Sequence, residues 1–376
     1  MAIEAAAPAV RPKFWRRLGR VNPWHLAVFV AVAMVVVIPL TLLVLGSFSL
    51  ASLPTDLNLA DLTTENYEEV WSDDGTLRVF TNTLIYVSGA TVLGITIAVA
   101  LAWLVERTNM PGKVWIYAGV PMTLAVPSML QAMAWVLLLS PRIGFLNSFL
   151  EGTLGIGPLN IYSLGGMIFI EGLRLVPTAF LMLVPLLRSM DPTLEEAAAM
   201  SGASPVSSLR KVTVRLMLPG LIAVVIYQMM TALEVFEVPG ILGMPGGIYV
   251  FSTKIYSVLH TATLNPNYGE ANALAMLYLG IAVVATFLYA RVIVRSERFT
   301  IVTGKGYRPR ELDLGYWRYV GLGGAILYLV LAVFVPFLVF IFTSFMPFVQ
   351  PPSAEAFASV TMRNYDQIFQ TELIGK

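Results

Sequence analysis

About seven apolar runs, each close to 20 residues long, divide this chain into hydrophobic blocks separated by charged loops. They lie at 24–48, 82–105, 114–139, 164–187, 218–238, 271–293 and 319–345. A helix of about 20 residues crosses a bilayer core, and it satisfies its own backbone polar groups there. With 57% hydrophobic and 12% charged residues, the chain of 376 is too apolar for a soluble domain. The sequence therefore predicts an all-α, polytopic membrane protein, a helical bundle of about seven transmembrane helices.

The distribution of Lys and Arg predicts which way the bundle faces. Basic residues cluster before the first run and in the segments 107–113, 188–215 and 291–318, whereas the alternate loops carry few. Because basic loops remain in the cytoplasm, we expect these four segments and the N-terminus there. The basic arm and first run resemble a signal peptide, but the apolar stretch is long and lacks a convincing cleavage site. We therefore expect a retained span.

The end of the sequence repeats its beginning. The matching residues are Pro39 and Pro336, Ser47 and Ser344, Asn66 and Asn364, and Tyr67 and Tyr365. The offset is 297 or 298 positions throughout, and six spans separate the copies, so both copies cross in the same direction. This predicts a parallel duplication, in which the chain lacks most of its second half. The alternative is a chance likeness, since short matches carry false positives.

This organisation predicts four regions. They are a cytoplasmic N-terminal arm at 1–23, a first six-span module at 24–295 with a polar loop at 191–219, a cytoplasmic linker at 296–318, and the truncated start of a second module at 319–376.

The polar loop predicts two helices joined at a turn. Asp191 can cap the first helix and Pro192 suits its first turn. Gly202 can adopt the left-handed conformation that ends a helix. Ser204 followed by Pro205 repeats the cap, so a second helix should leave the turn toward the membrane.

The first of these helices has a surface with little side-chain bulk. Thr193 and Glu196 offer an alternative capping box, and three alanines follow Glu196. Alanine favours helix and permits the close approach of a partner's backbone. A solvated helical hairpin that is rich in alanine for its helix propensity alone is the simpler alternative.

The order Glu196-Ala197-Ala198, then three residues, then Gly202 resembles the EAA loop of permease subunits in binding-protein-dependent ABC importers. In that family the loop docks on an ATPase subunit as a coupling helix. The resemblance implies that the ATPase-coupling residues are Glu195, Glu196, Ala197, Ala198, Gly202 and Ala203. The family usually continues with a Leu-Pro pair, where this chain has Val214-Arg215 and then Pro219.

The duplicated layout and the linker at 302–310 are similar to fused permeases of the ferric-iron importer group, whose relatives carry polyamines, thiamine and phosphonates. This resemblance implies a multi-pass protein of a bacterial inner membrane that translocates a small solute, best assigned as ferric iron. Its implied partners are an ABC ATPase dimer, a periplasmic solute-binding protein, a second permease half or permease partner, and membrane lipid. ATP and Mg belong to the ATPase, and no cofactor or nucleic acid is expected on this chain.

Two other classes remain open. A secondary transporter with parallel six-span repeats would explain the duplication without needing the polar loop. A structural or assembly membrane protein would show no coupling to nucleotide.

Enzyme chemistry has no support in the sequence. Gly304 and Lys305 lack the spacing of a phosphate-binding loop, and the chain has no Cys and 2 His. We therefore predict no catalytic residue and no fixed metal site.

Charged residues within the apolar runs predict two further features. Glu171 and Arg174 lie three positions apart, on one helix face, and could form an intramembrane pair. Tyr227, Glu234 and Glu237 share a predicted face in the fifth run, and their hard oxygen ligands suit a small cation, so they could line a translocation path. Alternatively, both glutamates lie at the outer interface and are simply solvated.

Overall fold

The computed structural model describes residues 23–51, 58–155, 157–190, 193–260, 267–296, 311–350 and 352–370. These residues form helices joined by turns, and only isolated β-bridges occur among them. The helices are α1 (Pro23–Ser47), α2 (Glu65–Ser72), α3 (Asp74–Arg107), α4 (Lys113–Met122), α5 (Ser128–Leu139), α6 (Phe145–Leu154), α7 (Leu164–Arg188), α8 (Thr193–Met200), α9 (Pro205–Glu234), α10 (Phe251–Leu259), α11 (Tyr268–Ser296), α12 (Trp317–Ser344), α13 (Ala354–Ala358) and α14 (Arg363–Gln370). The basic arm and the linker at 302–310 lie outside the described residues.

The predicted membrane bundle is confirmed. Six described helices, α1, α3, α7, α9, α11 and α12, are long and apolar enough to cross a membrane. The bent pair formed by α4 and α5 raises the number to 7 if it counts as one span.

Three of these helices differ in extent or shape from their apolar runs. The second run, 82–105, forms α3, which starts at Asp74 instead of 82. The Asp73 side chain caps this helix by accepting the Gly75 N–H at 2.8 Å. The fifth starts at Pro205, so the second helix of the polar loop continues into the membrane. The third run, 114–139, forms the pair α4 and α5, which is bent by 93°. Pro127 begins its second part, and the residue before a proline is pushed out of helical conformation.

The centre of the bundle is the pair α3 and α7, which pack along much of their length. Every fourth residue of α3 is small and buried here, at Ala90, Gly94, Ala98 and Ala102. A Cβ at Gly94 would lie 2.8 Å from the carbonyl oxygen of Gly172 on α7. Small residues at this spacing let the two backbones approach, which is how helices associate in lipid.

A polar side chain fixes α9 against this pair. Gln228 is fully buried, and its amide donates to the Leu175 carbonyl and to the Thr178 hydroxyl of α7, both at 2.9 Å. An amide in an apolar interior requires such partners, so this contact sets the register between α9 and α7.

The sequence repeat corresponds to a repeated structure. In the first copy, called the first clasp (Ser47, Phe48, Ser49, Asn66 and Tyr67), the Asn66 amide donates to the carbonyls of Ser47 at 3.1 Å and Ser49 at 2.9 Å. The Tyr67 hydroxyl donates to the Ser47 hydroxyl at 2.8 Å, and the Phe48 and Tyr67 rings lie 5.1 Å apart.

The second clasp (Ser344, Phe345, Met346, Asn364 and Tyr365) has the same connections. The Asn364 amide donates to the carbonyls of Ser344 at 3.0 Å and Met346 at 2.9 Å. The hydroxyls of Ser344 and Tyr365 lie 2.7 Å apart, and the rings of Phe345 and Tyr365 lie 5.4 Å apart. Each clasp folds the residues after a span back onto the end of that span.

The span of the second copy, α12, packs against α4 and α5 of the first. Pro336 lies in α12 and, lacking an N–H, cannot donate to the carbonyl four residues earlier, that of Ala332, which lies in the π-helical stretch Val330–Phe334. The Gln131 amide of α5 reaches this carbonyl at 3.3 Å. A buried side chain of the bundle thus donates to a backbone group to which the proline cannot donate.

Candidate coupling site

The polar loop folds as two helices at one end of the bundle. The first helix, α8, ends at Met200, and the turn that follows passes through Gly202, whose φ of +83° is the left-handed conformation that the sequence predicts. The Ala203 N–H donates to the Ala198 carbonyl at 3.0 Å, which closes the helix end as in a Schellman motif. The predicted cap at Asp191 and Pro192 lies outside the described residues.

The second helix, α9, begins as the sequence predicts. The Ser204 hydroxyl accepts the Ser207 N–H at 3.3 Å, and Pro205 occupies the first turn. A π-helical stretch, Leu209–Thr213, follows before the membrane-spanning part. Such stretches widen a helix locally and often mark functional positions.

A buried ion pair fixes α8 to the rest of the bundle. Arg107, the last residue of α3, and Glu195 of α8 are each about 3% exposed, and their Nε and Oε2 atoms lie 3.2 Å apart. The Thr213 hydroxyl donates to the other carboxylate oxygen at 2.8 Å. The Arg107 guanidinium also donates to the carbonyls of Leu187 at 2.9 Å and Met190 at 3.2 Å. Glu195 therefore contacts α3 and α9 directly, and Arg107 extends the contact to the end of α7.

A second ion pair lies beside the first. Glu106 accepts the Arg188 Nε at 2.8 Å, and it also accepts a short hydrogen bond from the Tyr117 hydroxyl. The Arg188 guanidinium lies 5.2 Å from the centre of the Tyr117 ring. Glu106 thus joins the end of α3 to α4 and α7, next to the residue that holds α8.

The outer side of the loop is apolar and open. Ala197 is exposed and Ala198 half-buried, while Met200 and Val206 are 86% and 68% exposed. Glu196 is half-buried and Ala203 partly covered. An apolar surface that stays exposed on a helix whose opposite side is held by buried contacts is typical of a docking site for another protein.

The intramembrane pair lies in the centre of the bundle. Glu171 is fully buried, and both its oxygens accept from Arg174, with an Nε to Oε2 distance of 2.9 Å. The Tyr86 hydroxyl of α3 is close to this carboxylate but, among the described residues, has no partner in hydrogen-bond geometry. Glu237 lies near enough to act electrostatically on the pair.

The three residues of the predicted path do not share one helix face. Helix α9 ends at Glu234 because Val235 is extended, with ψ of 130°, so Glu237 lies beyond the break. Tyr227, Glu234 and Glu237 are all exposed in the chain as described. The prediction of a continuous stripe through Glu237 is therefore wrong.

Sequence reasoning missed the residues that anchor the loop. Arg107 served only as a charge for orientation, and Thr213 drew no interpretation. Met200 and Val206 drew no functional interpretation, although apolar residues beside a glycine turn in a polar loop were an available signal. Nothing local connects Arg107 to Glu195, which lies 88 positions further on.

The helical membrane bundle and its anchored two-helix loop place this chain in the class of ABC transporter permeases. A sequence profile of the binding-protein-dependent transport system inner membrane component matches residues 90–298, more than half of the chain, and the chain belongs to this family.

Similar proteins differ in the solute that they are named for. Ferric transport system permease proteins of Haemophilus influenzae and Actinobacillus pleuropneumoniae are each 27% identical over 244 residues, 63% of this chain. The match spans only 37% and 34% of their lengths. A trehalose/maltose transport system permease protein of Thermococcus litoralis is 28% identical over 216 residues, 55% of this chain and 70% of its own.

Solved structures share the fold at lower identity. A chain in the crystal structure of a bacterial alginate ABC transporter, in complex with an alginate pentasaccharide-bound periplasmic protein, superposes with a TM-score of 0.58 at 19% identity. The superposition covers 78% of this chain and 100% of the other.

No cluster of three or more His, Cys, Asp or Glu side chains that could hold a metal ion occurs in the part of the chain that the structure describes.

Proposed function

We propose that this chain is the membrane-spanning subunit of an ATP-driven importer, with the end that carries α8 and the N-terminus on the cytoplasmic side. A separate ATPase dimer docks on α8 and uses ATP and Mg. The observation that carries the proposal is the buried Arg107–Glu195 pair beneath the exposed side of α8. The helix is fixed to three spans on one side and open to a partner on the other, as a force-transmitting contact requires.

Two further partners belong to the proposal. A periplasmic solute-binding protein delivers the solute at the opposite end of the bundle, and a second permease half completes the pathway. The similarity to a permease solved with a periplasmic protein supports the first partner. The second clasp supports the second permease half, because this clasp begins another copy of the same structure.

A substituted coupling surface tests the proposal. In the assembled transporter, Ala197→Trp should weaken ATPase binding by about tenfold or more, because bulk at the centre of a packed interface removes its complementarity. Ala60→Trp places the same side chain on an exposed alanine far along the chain from the loop and should leave binding unchanged. ATPase retention on the immobilised permease measures both. Equal retention by the two variants rejects α8 as the docking surface.

We propose ferric iron as the cargo. The ferric relatives support it. Tyr227, Glu234 and Glu237 do not lie on one helix face, but each offers an oxygen that is a hard ligand. The double variant Glu234→Gln and Glu237→Gln should lower uptake of radiolabelled iron into proteoliposomes that hold the permease, its ATPase and its binding protein. Unchanged iron uptake removes these residues from the path.

A sugar is the second candidate, because the trehalose/maltose permease of Thermococcus litoralis matches at similar identity. Labelled maltose in the same proteoliposomes separates the two. ATP-independent uptake of either solute would indicate a secondary transporter instead.

A further inference from the structure

The linker segment (residues 311–314) precedes α12 and lies against the end of α3. Thr108 and Leu312 form a parallel β-bridge. The Leu312 N–H donates to the Arg107 carbonyl at 2.9 Å, and the Asn109 N–H donates to the Leu312 carbonyl at 3.1 Å. The linker segment is therefore hydrogen-bonded to the main chain of the residue whose side chain holds α8.

Side chains strengthen this contact. The Asn109 amide donates to Asp313 at 2.6 Å, and its oxygen accepts the Leu314 N–H at 3.1 Å. The Gly315 N–H and the Asn109 amide lower the pKa of Asp313 below its ordinary value, which favours the ionised acceptor in this contact. Lys113 and Glu311 add an ion pair at 2.8 Å on the solvent side.

Arg107 thus takes part in two contacts at once. Its guanidinium is buried against Glu195 of α8, and its carbonyl accepts from Leu312 of the linker segment. The Arg107 guanidinium has little freedom to turn, because it is buried, donates to the carbonyls of Leu187 and Met190, and would leave the Glu195 carboxylate unpaired if it moved away. A displacement of Glu195 is therefore carried to the backbone of Arg107 and from there to Leu312.

We infer that Arg107 is a positioning residue that joins α8 to the linker segment, so that movement of the coupling helix reaches α12 as well as the spans of the first copy. The inference rests on the proposed function for its purpose, since only a docked ATPase would move α8. The physical link itself needs no partner.

Hydrogen exchange of the purified chain in lipid nanodiscs tests the link. Thr213→Val removes the hydroxyl that donates to Glu195 without touching Arg107 or the linker segment. We expect amide exchange to rise severalfold in peptides covering 107–113 and 311–316, as well as in α8. A rise confined to residues 193–213 overturns the inference.

The reverse variant tests the opposite direction. Asn109→Ala releases Asp313 and Leu314 from the linker contact, and exchange at the α8 turn should also rise severalfold. Lys113→Gln is the matched control, because an ion pair as exposed as that with Glu311 contributes little to stability and its loss should leave α8 unchanged. An Asn109→Ala variant that loosens only the linker segment contradicts the inference.

A functional measurement distinguishes positioning from simple support. In the assembled transporter, Thr213→Val should lower the ratio of binding-protein-stimulated to basal ATP hydrolysis severalfold, with ATPase retention unchanged. A contact that only supports the fold would lower retention and both rates together. If Ala197→Trp retains the ATPase while the exchange results hold, the proposed docking fails and the link stands. If Ala197→Trp loses the ATPase while Thr213→Val raises exchange only at residues 193–213, the proposed docking stands and the link fails.

Discussion

Gly202 is a residue whose backbone alone decides how the loop turns. Its φ of +83° is left-handed, and a Cβ placed there would meet no atom within 4 Å. The free-energy cost of a side chain at this position therefore comes from the backbone conformation and not from contacts with neighbouring atoms. A left-handed conformation costs an L-residue about 1–2 kcal/mol, most for β-branched residues and least for asparagine.

We therefore expect Gly202→Val to loosen the turn and Gly202→Asn to preserve it. Amide exchange at Ala203, whose N–H closes α8, should rise about tenfold in the valine variant, as a loss of about 1.4 kcal/mol implies. Similar exchange in both variants would show that the turn does not depend on the left-handed backbone.

Arg174 compensates a fully buried charge. Removing one partner of a buried ion pair costs about 3–5 kcal/mol, because the other charge is left without solvation. Arg174→Leu should therefore lower the melting temperature of the protein in detergent markedly. The double variant Glu171→Leu with Arg174→Leu should recover most of the loss, since neither charge then remains. A double variant as unstable as the single one would contradict this account of the pair.

The two clasps allow one contact to be compared in two surroundings. Asn66 is 1% exposed, and α11 approaches so closely that a Cβ at Gly269 would lie 2.5 Å from the Asn66 side chain. Asn364 makes the same pair of bonds but is only partly buried. Carbonyls that lose their donor in a buried site cannot turn to water, whereas those at a partly open site can.

Asn66→Ala should accordingly destabilise the protein more than Asn364→Ala. We expect losses of about 1–3 kcal/mol and about 0.5–1.5 kcal/mol respectively, measured by denaturant titration in mixed micelles. Equal losses would indicate that a partner covers the second clasp as α11 covers the first.

The sequence predicted the positions of helices correctly where local residues determine them. The run 164–187 predicts α7 to within one residue, because a span in lipid must satisfy its own backbone and is bounded by polar loops. The turn at Gly202 and the cap at Ser204 followed from the conformations these residue types favour. The bend of 93° was missed although Pro127 lay within the run.

Features that depend on distant residues were not predictable. Periodicity assigns Arg107 to a helix end but contains no information about which side chain it meets. The prediction that Tyr227, Glu234 and Glu237 share a helix face was wrong for a related reason. The spacing rule assumes a helix that continues past Glu234. The open apolar residues Met200 and Val206 became meaningful only when the helix beneath them was seen to be fixed.

For the whole molecule, the packing of α12 on α4 and α5 joins the two copies of the repeat. Tyr328 of α12 lies 3.2 Å from the Thr123 hydroxyl and within 3.4 Å of the Leu173 carbonyl. By contrast, α1, which α12 repeats, packs mainly on α11 and leaves its apolar surface open. We expect the open side of α1 to face, in the assembled transporter, a surface like the one that α4 and α5 offer to α12.

The Gln131 contact provides the test of how firmly the two copies are joined. Gln131→Leu keeps the side-chain volume similar but removes the amide that donates to the Ala332 carbonyl, to which Pro336 cannot donate. An unsatisfied buried carbonyl costs about 1–3 kcal/mol, which should favour separation of α12 from α5. The chain has no Cys, and a Cβ added at Gly119 would lie 3.1 Å from the Leu329 side chain, so a cysteine pair at these two positions reports the contact.

Oxidative cross-linking of that pair should fall severalfold in the Gln131→Leu background. Gln350→Leu, which removes an amide that donates to Met346 and Ser359 beyond the C-terminal end of α12, is the control and should cross-link fully. Undiminished cross-linking in both would mean that side-chain packing alone, such as Leu329 against Gly119, holds the two copies together. The contact between α12 and α5 would then not depend on the hydrogen bond from Gln131 to the Ala332 carbonyl.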